Sequence, residues 1–175
     1  MIELRHRALL CWVAMIAVPV WLVSCDREMA LGLVERALQS EDQAAQKQTV
    51  KDLRNVGVAM MSWLTDQVGA AAAGQTTNPP YDVRQVPLIS PQELEDILVP
   101  NYLETLPEQD GWGHPYEFHL NTTDYTALNV MIIRSPGRDG AFSGDAYSIG
   151  SFAPEHFDED VVWADGFFIR WPERR

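Results

Sequence analysis

The spacing of apolar residues divides the chain into a helical first part and a strand-rich second part. Between residues 27 and 68, apolar side chains recur at three- and four-residue steps, which is the repeat of one helix face. Leu53, Val56 and Met60 belong to this stripe, and no proline interrupts it. We therefore predict one long helix here. Residues 26–46 carry a thinner stripe, so we expect that part to stand clear of the domain as a stalk.

The segment that follows the predicted helix changes in composition. Residues 69–87 are rich in Ala, Gly and Pro, which predicts a loop. Ser90-Pro-Gln-Glu93 is then a capping box with proline at the first helical position. This motif predicts a short second helix that ends near Leu98.

Turn-forming clusters alternate with aromatic and β-branched runs in the rest of the chain. Residues 116–120 alternate apolar with polar side chains, and residues 127–133 form a second β-rich run, with residues 121–124 as a hairpin connection. Asp165-Gly166 lies between two aromatic runs and predicts another hairpin. Together the elements predict an α+β fold, in which the long N-terminal helix packs on a small antiparallel β-sheet.

Composition and charge narrow the classes of function. The 175 residues are 46% hydrophobic and 10% aromatic, enough for one packed domain with an appended element. A formal net charge of −12 repels phosphate backbones, so we expect no nucleic-acid partner and favour divalent cations or basic partners. The chain contains no HExxH, GxSxG or Cys-His pattern. We therefore expect a protein that is not an enzyme.

The N-terminus suggests attachment to a membrane. Arg5-His6-Arg7 precedes an apolar run over residues 8–24, which is typical of a signal sequence or an anchor. The run ends in Leu22-Val-Ser-Cys25, which looks like a bacterial lipobox with Cys25 as the acylated residue. We divide the chain into residues 1–25 as signal or anchor, 26–68 as helix and 69–175 as a globular β domain.

Three blocks, in their order, resemble a known family. Asp110-Gly-Trp-Gly-His-Pro-Tyr116, Ser135-Pro-Gly-Arg-Asp-Gly140 and Asp160-Val-Val-Trp163 resemble the globular domain of the type II secretion major pseudopilins, over residues 46–171. The resemblance implies a bound calcium ion, a cation that takes six to eight oxygen ligands. It implies as ligands the carboxylates of Asp139 and Asp145 and backbone carbonyls near Pro136 and Ala141, with Asp160 as either a further ligand or a support. The alternative is that Asp139 and Asp145 are turn residues bonded to their own backbone.

The resemblance also implies a function. It points to a structural subunit or accessory of a type II secretion-like pseudopilus, with other pseudopilin or secretion-machine subunits as partners. The domain would face the periplasm from a membrane anchor in the bacterial inner membrane. The alternative is a lipoprotein binding module with the pseudopilin fold that does not polymerise. Cleavage near Glu3 would favour the filament, and acylation at Cys25 would favour the module.

Overall fold

The computed structural model describes residues 28–68 and 81–174 with their side chains, and residues 3–27 by their backbone. Helix α1 spans Glu3–Val68 and ends where the apolar stripe predicts, so the long helix is confirmed over residues 28–68. The chain forms two compact units, Met1–Glu41 and Asp42–Arg175. The predicted lipidation site, Cys25, lies outside the residues whose side chains are described.

The described part of the first unit is a helix with exposed apolar side chains. Leu31, Leu33, Val34 and Leu38 are each 57–60% exposed. Every side chain from 28 to 41 is exposed except at Gly32, which is half-buried. Among residues 28–68, buried positions on α1 begin only in the second unit, at Gln46.

A six-stranded sheet forms the centre of the second unit. Its strands are β2 (Leu88–Ile89), β3 (Glu117–Leu120), β4 (Met131–Ser135), β6 (Gly150–Phe152), β7 (Val161–Ala164) and β8 (Phe167–Pro172), in the order β2-β3-β4-β7-β8-β6. Strands β1 (Tyr81–Asp82) and β5 (Ala146–Tyr147) form a separate antiparallel pair. The fold is therefore α+β, with a long helix and a sheet-rich C-terminal part.

The prediction of a purely antiparallel sheet is wrong at one edge. Strand β6 pairs with β8 in parallel, whereas the other pairs in the six-stranded sheet are antiparallel. A parallel pair needs a long crossover instead of a tight turn. Here residues 153–166, which include β7, provide that crossover. Hydropathy alone does not reveal this path, because it does not encode strand order.

The sheet is covered on both faces. On one face it packs on α1, through a cluster that includes Leu53, Met60 and Trp63. On the other face Tyr81, Val83 and Tyr147, from β1, the short 3-10 helix Val83–Gln85 and β5, cover a second cluster. All five residues of β4 are consequently buried, including the polar Arg134 and Ser135 at its end.

Helix α1 approaches the sheet closely at Gly57. A Cβ atom built on Gly57 would lie 2.4 Å from the indole ring of Trp163 on β7. Trp163 is only 3% exposed, so the ring has little free space to move into. Because Gly57 has no side chain, the helix can lie this close to the sheet.

The predicted capping box and second hairpin are confirmed. Helix α2 spans Pro91–Leu98, and Ser90 Oγ accepts a hydrogen bond from Glu93 N at 3.2 Å. The Glu93 carboxylate in turn accepts from Ser90 N at 3.0 Å. Asp165 and Gly166, with φ of 43° and 105°, make the tight turn between β7 and β8.

Two loop predictions need correction. The connection between β3 and β4 extends from 121 to 130, because β4 begins at Met131 rather than near residue 127. The predicted loop 69–87 contains β1 and the 3-10 helix in its second half, since Tyr81 and Val83 are buried under the sheet. Residues 69–80 lie outside the described residues.

Candidate functional site: the acidic loop

Asp110 organises the turn that precedes β3. Its Oδ1 accepts hydrogen bonds from the backbone N–H groups of Trp112 and His114, at 3.0 and 2.9 Å. Its Oδ2 accepts from Ser135 Oγ at 2.7 Å. The hydroxyl oxygen of Ser135 accepts in turn from Gly137 N at 3.2 Å. The Asp110 carboxylate thus joins two segments. The first is residues 110–114, which we call the Asp110 turn, and the second is the start of residues 135–160, which we call the acidic loop.

Helix α1 holds both the turn and the acidic loop. Asp42 accepts from Trp112 Nε1 through one carboxylate oxygen and from Arg138 through the other, both at 3.0 Å. Thr49 Oγ1 accepts from Gly111 N, also at 3.0 Å. These contacts join residues that are more than 60 positions apart in the chain. The loop is therefore positioned by the helix.

Glycine is required where the acidic loop folds back on itself. Gly137 has φ of 74°, and a Cβ there would lie 2.7 Å from Phe157 O and 2.8 Å from Glu159 O. His114 Nδ1 donates to Gly137 O at 2.8 Å. Both ends of the loop thus meet at Gly137, and His114 has a positioning role there.

The predicted calcium ligands occupy different environments. Asp139 is exposed, and its Oδ1 accepts from Ala141 N at 3.0 Å, which is the backbone-bonded turn that the sequence left open. Pro136 is buried and Ala141 is exposed. The side chain of Asp145 is 52% exposed and lies 3.7 Å from Arg134.

Asp160 is the buried carboxylate of the acidic loop. It is 1% exposed, and its Oδ2 accepts from Ser143 N, Ser143 Oγ and the Tyr147 hydroxyl, at 3.0, 2.8 and 2.7 Å. Its Oδ1 is also buried but has no hydrogen-bond partner among the described residues. Burial and the Asp160 carboxylate raise the pKa of Tyr147, so the phenol remains protonated and donates.

Arg134 is a central residue of this site that the sequence interpretation missed. Its side chain is 6% exposed and donates to Glu117, to Gly144 O at 2.7 Å and to the Tyr147 hydroxyl at 3.0 Å. The guanidinium also stacks on Phe142, 3.9 Å from the ring centroid. Arg134 stands directly after the apolar run 130–133. A charged residue in such a position is a usable signal, because a buried cation requires nearby acceptors.

The acidic loop offers calcium one unpartnered carboxylate oxygen but no cluster of acidic side chains. The unpartnered Oδ1 of Asp160 is a hard oxygen that an ion could coordinate. However, no group of three or more His, Cys, Asp or Glu side chains converges within residues 28–68 and 81–174. Arg134 also places a positive charge beside Asp145. An ion here would therefore depend on backbone carbonyls for most of its ligands.

The comparisons with known proteins point to no family and no function for this chain. No family model, curated protein or solved structure matches this chain. Within the described residues, no helix is both long enough and apolar enough to cross a membrane.

Proposed function

We propose that this chain is a structural subunit or accessory of a type II secretion-like pseudopilus. Its main support is the connection of a long helix to the acidic loop. Asp42 and Thr49 on α1 bind both the Asp110 turn and that loop, and the same helix supplies one third of the buried residues of the main core. In this proposal residues 1–25 anchor the protein in the bacterial inner membrane, and the globular domain faces the periplasm.

The supporting contacts suit a structural role. The acidic loop is bonded to α1 through Asp42, to the Asp110 turn through Ser135, and to the sheet through the hydrogen bonds of Arg134 to Gly144 O and the Tyr147 hydroxyl. Each of these contacts joins residues at least ten positions apart in the chain, so each restrains the loop against separation from the body of the domain. Other subunits would then contact an acidic loop whose conformation is fixed before they bind.

We further propose that calcium completes the acidic loop. Asp160 Oδ1, the carboxylates of Asp139 and Asp145 and the carbonyls of Pro136 and Ala141 are the candidate ligands. The support is the unpartnered buried oxygen of Asp160, since such an atom is costly unless an ion or donor meets it. Bound calcium would neutralise part of the local negative charge and hold the two ends of the loop together.

Calcium binding is tested by thermal unfolding of the full chain in mild detergent. Calcium at ten to one hundred times its dissociation constant should stabilise the protein by about 1.4–2.7 kcal/mol. Asp139→Asn should reduce that gain, whereas Asp96→Asn, at an exposed position on α2, should leave it unchanged. Equal melting temperatures with calcium and with chelator would exclude the calcium site.

The secretion role is tested in the native bacterium. Deletion of the gene should remove a defined set of proteins from the culture medium, and the intact gene should restore them. Crosslinking in the envelope should join the protein to other pseudopilin-like subunits. A medium proteome that deletion leaves unchanged would refute the function.

The second candidate is a lipoprotein binding module that does not polymerise. The observation in its favour is an open groove of about 1070 Å³ beside Trp171, large enough for a peptide. Mass spectrometry of the mature N-terminus separates the two candidates. A diacylated Cys25 as the first residue would favour the module, and processing near Glu3 would favour the filament subunit.

A further inference from the structure

The groove beside Trp171 lies between α1 and the C-terminal end of β8, within the second unit. It measures about 1070 Å³. The residues that matter for recognition are Gln46, Lys47, Arg54, Phe168, Trp171 and Arg174. We call it the basic groove, because three of these side chains are cations.

Positive charge is concentrated in this groove, although the second unit as a whole has a negative net charge. Residues 42–174 contain 20 acidic and 8 basic residues, for a net charge of −12. Four of the basic residues, all arginines, form ion pairs: Arg84, Arg134, Arg138 and Arg170. The other four have no ion-pair partner among the described residues, and Lys47, Arg54 and Arg174 of these line the groove. The lining also includes one carboxylate, Glu173, whose Oε1 accepts a hydrogen bond from Ser151 Oγ. Three cations against one carboxylate leave the groove positive, so it attracts carboxylates that the rest of the surface repels.

The remaining lining residues suit a ligand with apolar anchors. Phe168 and Trp171 are half-buried and supply aromatic surface, and Arg54 lies over the Phe168 ring at 5.6 Å. Gln46 is 6% exposed, and its amide Nε2 has no hydrogen-bond partner among the described residues. A buried donor without an acceptor costs free energy, so the Gln46 side chain would gain by turning into the groove and donating to a ligand oxygen. The groove thus combines apolar contact with carboxylate binding, and Gln46 can add one donor.

A segment with complementary chemistry exists on the same chain. Residues 28–41 hold three glutamates and one arginine. Leu31, Val34 and Leu38 stand at positions i, i+3 and i+7 of the helix, and all three are exposed. Glu35, at i+4, lies on the same face. Anchors at this spacing are typical of an amphipathic helix that docks in a groove.

We propose that residues 28–41 of one copy dock in the basic groove of a second copy. Leu31, Val34 and Leu38 would contact the aromatic surface, and Glu35 would meet the groove cations, with Arg54 the first candidate. This interface rests on the proposed function, because a filament subunit must associate with copies or relatives of itself. It also explains why an exposed apolar stripe and unpaired cations occur together on one acidic chain.

A charge exchange tests the interface. Self-association of the full chain in mild detergent is measured by analytical ultracentrifugation. Arg54→Glu should weaken it about tenfold, since like charges would then face each other across the interface. Lys51→Glu is the matched control, because Lys51 is an exposed cation on the same helix that has no ion-pair partner among the described residues and does not line the groove. The double variant Arg54→Glu with Glu35→Arg should restore association to within about threefold of the unchanged protein.

Three results would overturn the interface. They are an equal effect of Lys51→Glu, a double variant no better than Arg54→Glu alone, and no self-association of the unchanged chain. Photocrosslinking from Val34→p-benzoylphenylalanine provides an independent readout. A crosslink to the peptide that contains Trp171 in another copy supports the interface. A crosslink to lipid or detergent, or to residues 28–41 of another copy, refutes it.

Secretion separates failure of the interface from failure of the function. A deletion strain that carries Arg54→Glu should lose secretion, and the double variant should recover it. If Arg54→Glu restores secretion as fully as the unchanged gene, the interface is wrong and the secretion role stands. If deletion itself leaves secretion intact, the secretion role is wrong, and the ultracentrifugation result still decides the interface.

Discussion

Gly57→Ala tests how closely helix α1 packs on the sheet. The added methyl carbon would lie 2.4, 2.6 and 2.6 Å from three atoms of the Trp163 ring. Favourable contacts between carbon atoms are about 3.5–4.0 Å, so ring and helix would have to separate by about 1 Å. Trp163 belongs to the main core, together with Leu53 and Met60 from the helix, and cannot move alone.

Two opposing effects determine the size of the change. Alanine is favoured over glycine inside a helix by about 1 kcal/mol, which would stabilise the protein. Overpacking a core by one methyl group costs about 1–3 kcal/mol, and the contact at Gly57 is a severe case. We therefore expect Gly57→Ala to lower the free energy of unfolding by about 1–2 kcal/mol. For a unit of this size that corresponds to a melting temperature lower by roughly 3–10 °C.

Thermal unfolding followed by near-ultraviolet circular dichroism, which reports tryptophan packing, provides the assay. Gly32→Ala is the matched control, because it adds the same methyl to the same helix with no atom within 4 Å. The control should not lower the melting temperature. Gly57→Ala should cost less in a Trp163→Phe background, where the smaller ring leaves room. A Gly57→Ala protein as stable as the unchanged chain would refute the close packing.

Three further predictions concern hydrogen bonds and close contacts around the sheet. Asp165→Ala should lower the free energy of unfolding by about 2–4 kcal/mol in denaturant titrations, because two buried backbone donors lose their acceptor, while Asp165→Asn should cost less than about 1 kcal/mol. Gly111→Ala should destabilise the protein in the same titration, since its Cβ would lie 2.1 Å from the backbone oxygen of Ala45. Burial opposes ionisation of Glu117, but hydrogen bonds from His119 and Arg134 prevail and lower its pKa. Its contribution is therefore present above the ordinary glutamate pKa of 4.5 and is lost as pH falls through the lower folded value, so the stability gap between the unchanged chain and Glu117→Gln should narrow in melting curves below pH 4.5.

Local patterns predicted the elements whose cause is local. The capping box at Ser90 and the Asp165-Gly166 turn depend on residues within three positions of each other, and both form as expected. The long helix follows from its apolar stripe and its lack of proline after residue 27. In the first two cases the stabilising contacts lie within a few residues of the chain, so the sequence displays them directly. For the helix the sequence displays the repeat of the stripe, although the sheet on which it packs lies far along the chain.

The acidic loop was only partly predictable for the opposite reason. Its carboxylates are visible in the sequence, but their partners are not. Asp160 meets Ser143 and Tyr147 across 17 and 13 residues, and Arg134 reaches Glu117 across 17. For this loop the sequence led us to expect a calcium ion. The fold adds the guanidinium of Arg134, because β3 and β4 pair so that Glu117 lies opposite Arg134.

The sequence by itself determined the long helix, its capped neighbour, the tight turns and the acidic character of the chain, since these depend on short-range spacing and composition. The tertiary structure decided which charges are paired and which remain available. Helix α1 and the end of β8 are more than 100 residues apart in the chain, yet together they form the basic groove. Strand order and helix packing create such surfaces, because they bring together residues that no local pattern relates.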